Sequence, residues 1–245
     1  MAEIKVLPDL EAVAEEAARR WVQIAGAAVE KHGAFRIALC GGDVARRLYE
    51  IMASTPYSDQ APWAQTVVFW GDERRVPASH PESLYHLVRT TLLDHVPIPQ
   101  DRIFRMDGEG LARSAAREYE ETLRRHFGLR RGEWPRFDLV LLDMGVDGHI
   151  ASIFPGTRAV SDLTNMVVVY QVPQLGVERI TLTLPVFNHA RHIFIFATGA
   201  EKAATLAAAL HGERRPSTYP VQAIRPLDGT LVWLVDEAAA AQLPT

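Results

Sequence analysis

Asp147, Gly148 and His149 follow closely on the apolar run Leu139–Leu142. That run has the length and make-up of a buried strand. Gly145 and Gly148 let the backbone turn sharply beyond it. An acid and an imidazole are thus expected together at a strand end. Imidazole is the side chain best suited to proton transfer near neutral pH, and a carboxylate beside it can orient it. The chemistry this suggests is removal of a proton from water or from a bound molecule.

Three more glycine-containing turns follow predicted strands: Gly41-Gly42, Gly71-Asp72-Glu73-Arg74, and Gly199 to Lys202. Parallel strands would place all four turns on one edge of a sheet, where open α/β folds bind ligands. That edge would hold Arg74, Asp147, His149 and Lys202. Two cations with helix N-termini nearby suit a phosphate. Gly41, Gly42, Asp72, Gly145 and Gly148, from the same turns, complete the candidate ligand-binding set. Taken singly, each feature has a plainer reading. Asp-Gly-His is also a tight turn, Gly71 to Arg75 a solvated charge cluster, and Lys202 a surface lysine. The functional reading rests on their meeting at one edge. A nucleophilic Cys40–His149 pair is the less favoured alternative. His189 and His192 have H-x-x-H spacing but no third ligand nearby, and they read as structural.

The elements that must position these residues alternate along the chain. Asp9 caps a helix that closes at Gly33, with Leu10, Val13, Ala17, Trp21, Ile24 and Ala28 on its buried face. Strands are expected at Phe35–Cys40, Thr66–Trp70, Leu139–Leu142, Arg179–Leu184, His192–Ala197 and Leu231–Val235, with a short one within 102–105. Helices are expected over about 43–52, 82–94 and 111–127, after Pro185, and from Thr198. The region from the central motif to about Val177 reads as less regular. This pattern predicts one α/β domain over 1–245, a Rossmann-like, doubly wound, mostly parallel sheet with helices on both faces. Six or seven strands are too few for the alternative, a TIM barrel.

Composition narrows the function classes. Of 245 residues, 48% are hydrophobic and 23% charged, which is ordinary for a globular chain. A formal net charge of −4 gives no support to a nucleic-acid partner. No apolar run approaches a membrane span, and the N-terminal residues do not form a signal peptide. The single cysteine, Cys40, excludes an internal disulfide and a Cys-rich zinc site. The expectation is a cytoplasmic protein; the oligomeric state stays open.

Four ordered blocks carry a resemblance that covers nearly the whole chain. They are Phe69-Trp-Gly-Asp-Glu-Arg-Arg-Val-Pro77, Phe137 to Gly156 with its Asp-Gly-His-x-Ala-Ser-x-Phe-Pro-Gly core, Arg179-Ile-Thr-Leu-Thr-Leu-Pro185, and Thr198-Gly-Ala-Glu-Lys-Ala203. In these blocks the chain resembles the 6-phosphogluconolactonase family, whose fold is shared with glucosamine-6-phosphate deaminases. The resemblance implies hydrolysis of 6-phosphogluconolactone in the oxidative pentose phosphate pathway, without metal or organic cofactor. It also implies His149 as general base, Asp147 as its orienting partner, and Arg74 and Lys202 on the phosphate. Three positions depart from the family pattern. Cys40-Gly41-Gly42-Asp43-Val44-Ala45 stands for Ser-Gly-Gly-Ser-Thr-Pro, Ser83-Leu84-Tyr85 for Ser-Asn-Tyr, and Asp143 for a glycine. The alternatives are a deaminase/isomerase and a non-catalytic sugar-phosphate-binding protein. The deaminase has a glutamate five residues after the motif histidine, where this chain has Phe154.

Overall fold

The computed structural model describes residues 2–173 and 176–244. Of the domain expected over 1–245, Met1, Gln174, Leu175 and Thr245 lie outside the described residues. The strands are β1 (Glu3–Leu7), β2 (Phe35–Leu39), β3 (Thr66–Trp70), β4 (Asp72–Arg74), β5 (Ile103–Phe104), β6 (Leu139–Asp143), β7 (Val167–Val172), β8 (Val177–Leu182), β9 (His192–Ala197) and β10 (Thr230–Asp236). The helices are α1 (Leu10–His32), α2 (Asp43–Met52), α3 (Tyr57–Gln60), α4 (Leu84–Val88), α5 (Ala112–Phe127), α6 (Leu184–Asn188), α7 (Ala203–His211) and α8 (Glu237–Ala240).

Seven strands form one parallel sheet in the order β1-β10-β9-β6-β2-β3-β5. Its inner strands are apolar because both faces are covered; Leu139, Val140, Leu141 and Leu142 of β6 are all fully buried. From β2 the chain moves outward to β3 and β5, then returns to β6 on the other side of β2 and continues to β9 and β10. Crossovers between parallel strands are right-handed, so α1 and α2 cover one face and α5 and α7 the other. The reversal of direction leaves a crevice between the C-terminal ends of β2 and β6, the place where doubly wound folds take ligands. The turns at Gly41-Gly42 and Gly145–His149 open onto it.

The ends of α1 follow the sequence closely. The Asp9 side chain accepts from Ala12 N at 2.9 Å, and Gly33 closes α1 at φ 76°. The helix expected over 82–94 is split. Its α-helical part is Leu84–Val88, capped by Ser83, and a π turn occupies Arg89–Leu93.

A second sheet, in the order β4-β8-β7 and antiparallel, stands beside the first. The strand expected over 179–184 is therefore β8 of this small sheet. The region read as less regular contains β7. Glu73, in the middle of β4, fixes this sheet to the head of α4. It is 2% exposed and accepts from Leu84 N (2.8 Å), Tyr85 N (2.8 Å), Arg74 N (2.7 Å) and Ser83 Oγ (3.0 Å). Burial nevertheless holds its carboxyl above the usual range, against the pull of those donors. Glu73→Ala would strand several buried donors at about 1–3 kcal/mol each. The expected loss of stability is about 3 kcal/mol, read as a lowered urea midpoint.

Candidate active site

The four turns lie where parallel strands must put them, at the C-terminal ends of β2, β3, β6 and β9. A cavity of about 470 Å³ opens there. Its lining includes Gly42, Asp43, Asp143, Gly145, His149, Gly199, Glu201 and Lys202. A groove of about 1050 Å³ between α5 and β7 is larger. It contains no paired acid and imidazole, so chemistry rather than size selects the smaller cavity.

His149 is held from three sides. Its Nδ1 lies 2.6 Å from Asp147 Oδ1, and its backbone N–H donates to the same oxygen at 3.0 Å. Its ring stacks on Phe154, with centroids 4.2 Å apart and planes at 21°. Its ring also lies over Gly145, where a Cβ would fall 2.1 Å from Cε1 and from Nδ1. A side chain at 145 would occupy the space of the imidazole. Burial works to raise the Asp147 carboxyl, but the ring and backbone N–H groups of His149 outweigh it and the carboxyl stays below its ordinary range. An ionised carboxylate only accepts, so the proton belongs on Nδ1 and the Nε2 lone pair remains for a substrate proton. Ala151, two residues on, has φ 47°, in the left-handed region that costs a non-glycine residue of the order of 1–3 kcal/mol. Neighbours hold this turn in place. Ser152 Oγ donates to Asp72 Oδ2 at 2.6 Å, and the Tyr170 hydroxyl donates to the Ser152 carbonyl.

The other expected residues fall into two groups. Gly42, Gly145 and Lys202 line the cavity with His149. Asp147 backs the imidazole, and Gly148, at φ 81°, makes the turn behind it. Gly41 is covered by Leu84, whose Cδ2 lies 2.4 Å from where a Cβ would be. Asp72 sits behind the site, 6% exposed and bound to Ser152. Arg74 is outside the cavity lining and donates to the Glu82 carbonyl at 2.6 Å. Arg75 points away, donating to the carbonyls of Asp107 and Gly110. Asp43 lines the cavity, a placement the sequence left open.

Arg179, unmarked as a site residue in the sequence, stands directly across the β4–β8 ladder from Arg74. Among the described residues its buried Nε has no hydrogen-bond partner. Burial and the charge of Arg74 both depress its pKa. Two adjacent guanidiniums, one with a buried Nε–H still to be satisfied, form a place for an anion. Burial, followed by Asp143 and Asp72, pushes the Cys40 thiol well up, so Cys40 is a poor nucleophile. His189 and His192 bond separately to the Pro185 carbonyl and to Thr230 Oγ1. The start of α2, which faces the cavity at Gly42 and Asp43, has no side-chain cap. Its leading N–H groups are suited to a developing negative charge. Among the described residues, no helix is long and apolar enough to cross a membrane.

Comparison with known proteins bears on the family and the fold. The family model for glucosamine-6-phosphate isomerases/6-phosphogluconolactonase matches residues 8–233. A 6-phosphogluconolactonase of Nostoc sp. is 37% identical over 242 residues, covering 98% of both chains. A probable 6-phosphogluconolactonase 2 of Oryza sativa subsp. indica is 34% identical over 253 residues, covering 98% of this chain and 90% of the relative. Among solved structures, the 6-phosphogluconolactonase of Trypanosoma brucei aligns with a TM-score of 0.89 at 28% identity, covering 100% of this chain and 99% of that one. From its strand order, a family model matching residues 8–233 and relatives matched over almost their full length, the chain belongs to the glucosamine-6-phosphate isomerase/6-phosphogluconolactonase family.

Proposed function

We propose that the chain hydrolyses 6-phospho-D-glucono-1,5-lactone to 6-phosphogluconate, with His149 as general base. The observation that carries this reading is the commitment of His149 Nδ1 to Asp147, which leaves Nε2 to take a proton beside an open cavity. Nε2 removes a proton from water as the water oxygen attacks the lactone carbonyl carbon. The carbonyl oxygen gains negative charge, and the N–H groups opening α2 stabilise it. When the tetrahedral intermediate collapses, the acyl–oxygen bond of the ring breaks and the imidazolium returns its proton to the departing ring oxygen. Arg74 and Lys202 hold the phosphate, with Arg179 beside Arg74. The names of the full-length relatives support the same substrate.

Phe154 argues against the deaminase. Its ring stacks under the imidazole at the position where that chemistry needs a carboxylate. The single cysteine, buried and unpaired, fits a reducing compartment, and we place the protein in the cytoplasm. The test is to add purified protein to freshly generated lactone, and separately to glucosamine 6-phosphate. Accelerated lactone loss without ammonia release is expected. Ammonia release would overturn the reading, and tight binding of 6-phosphogluconate without turnover would make the chain a binding protein.

A further inference from the structure

Lys202 already has an anion. Its Nζ lies 3.2 Å from both carboxylate oxygens of Asp143. Asp143 ends β6 and leans over the start of α2, where its Oδ2 lies 2.9 Å from the place a Cβ on Gly42 would take. The carboxylate therefore occupies the corner that Lys202 and the uncapped helix would offer to a phosphate oxygen. The charges around it do not favour a second anion. Asp43 faces it from α2, Glu201 and Asp236 line the same cavity, and among the described residues Lys202 is the only lysine or arginine in that lining. Asp236 is engaged with Gly199 N and Ala239 N, and cannot relieve the crowding.

We propose that Asp143 is a positioning residue that competes with the substrate's anionic group for Lys202, so that anion binding at this corner requires Asp143 to give up its charge or its place. The inference rests on the sugar-phosphate reading of the site. The groups that face Asp143 are Lys202 and Glu201 beyond β9, His149 beyond β6, Asp43 on α2, Cys40 at the end of β2 and Asp236 at the end of β10. Burial is the largest influence on the Asp143 carboxyl and Asp43 adds to it. Together they outweigh Lys202 and His149 and leave its pKa raised. A raised carboxyl takes up a proton at higher pH than an ordinary aspartate. Lys202 is thus released for the ligand as pH falls and recaptured as pH rises.

Calorimetric titration with 6-phosphogluconate across the pH range in which the protein stays folded tests this in the intact protein, using wild type, Asp143→Asn and Lys202→Met, and Asp143→Asn with Lys202→Met. At the alkaline end Asp143→Asn should bind about tenfold more tightly than wild type, equivalent to about 1.4 kcal/mol for an Asp143–Lys202 pair that binding no longer has to break. The advantage should shrink as pH falls. Ratios between variants cancel the phosphate's own ionisation. In steady-state assays the gain should appear in KM, with kcat within about twofold. On the Lys202→Met background the advantage should vanish. Asp143→Gly gives the same readout if the asparagine variant folds poorly. Equal or weaker binding by Asp143→Asn at every pH would overturn the inference, because Asp143 would then only brace Lys202. An advantage that survives Lys202→Met would overturn it too. Failure of the proposed function is read separately, as a lack of lactone turnover by wild type. Absence of 6-phosphogluconate binding by every variant would retract both.

Discussion

His149→Ala is expected to lower kcat for lactone hydrolysis by about 10³-fold while leaving the melting temperature close to that of wild type. A positioned general base contributes about 10²–10⁴-fold, and neither Cys40 nor Ser152 can replace it. Cys40 is buried with its thiol pushed up, and Ser152 Oγ is committed to Asp72. The ring is partly exposed and packs chiefly on Phe154, so its loss removes little of the core. Asp147 acts through the imidazole. Asp147→Ala should therefore cost much less on the His149→Ala background than in wild type. Stopped-flow or pH-indicator assays, corrected for spontaneous hydrolysis, read all four proteins. Near-normal turnover by a folded His149→Ala protein would rule out this base.

Gly145→Ala is expected to lower kcat by about 10²-fold, again with little loss of stability, because a small misplacement of a catalytic group costs that much. The new methyl group would fall 2.1 Å from two atoms of the His149 ring. What gives way is the free end of a side chain rather than backbone, so the fold survives. The ring must then leave Phe154 and stretch or break its 2.6 Å contact with Asp147. The structural mark of the variant is a displaced imidazole in a crystal structure. Full activity with the ring in its original place would show that this glycine is not needed for positioning.

Much of this site is legible in the sequence, for local reasons. The apolar run of β6 and the glycines after it are consecutive in the chain, so strand, turn and imidazole are read together. The helical period of α1 and the Asp9 and Gly33 caps are equally local. Parallel β2, β3, β6 and β9 then bring their turns to one edge as a matter of topology. What the sequence hides depends on pairing between distant segments. β4 has only three residues, and its polar Asp72-Glu73-Arg74 reads as a charged turn until β8 pairs with it. Arg179 looks like one polar step in an alternating strand; only the antiparallel register sets it against Arg74. β1 is an edge strand whose residues are exposed or half-buried, so it lacks a clear burial pattern. The Asp143–Lys202 contact spans 59 residues, and no spacing rule foretells it. Glu73 likewise gives no sign in the sequence that its carboxylate organises the head of α4.

The most direct measurement compares wild-type hydrolysis of freshly generated 6-phosphoglucono-δ-lactone with that of unphosphorylated glucono-δ-lactone, each above its spontaneous rate. Rapid turnover of the phosphorylated lactone is expected, with a preference in kcat/KM of about 10²-fold or more, the value of one or two charge-assisted contacts at about 1.5–3 kcal/mol each. No acceleration of the phosphorylated lactone by well-folded protein would contradict the proposed hydrolysis. Equal acceleration of both lactones would leave the base in place and remove the cations as the source of specificity.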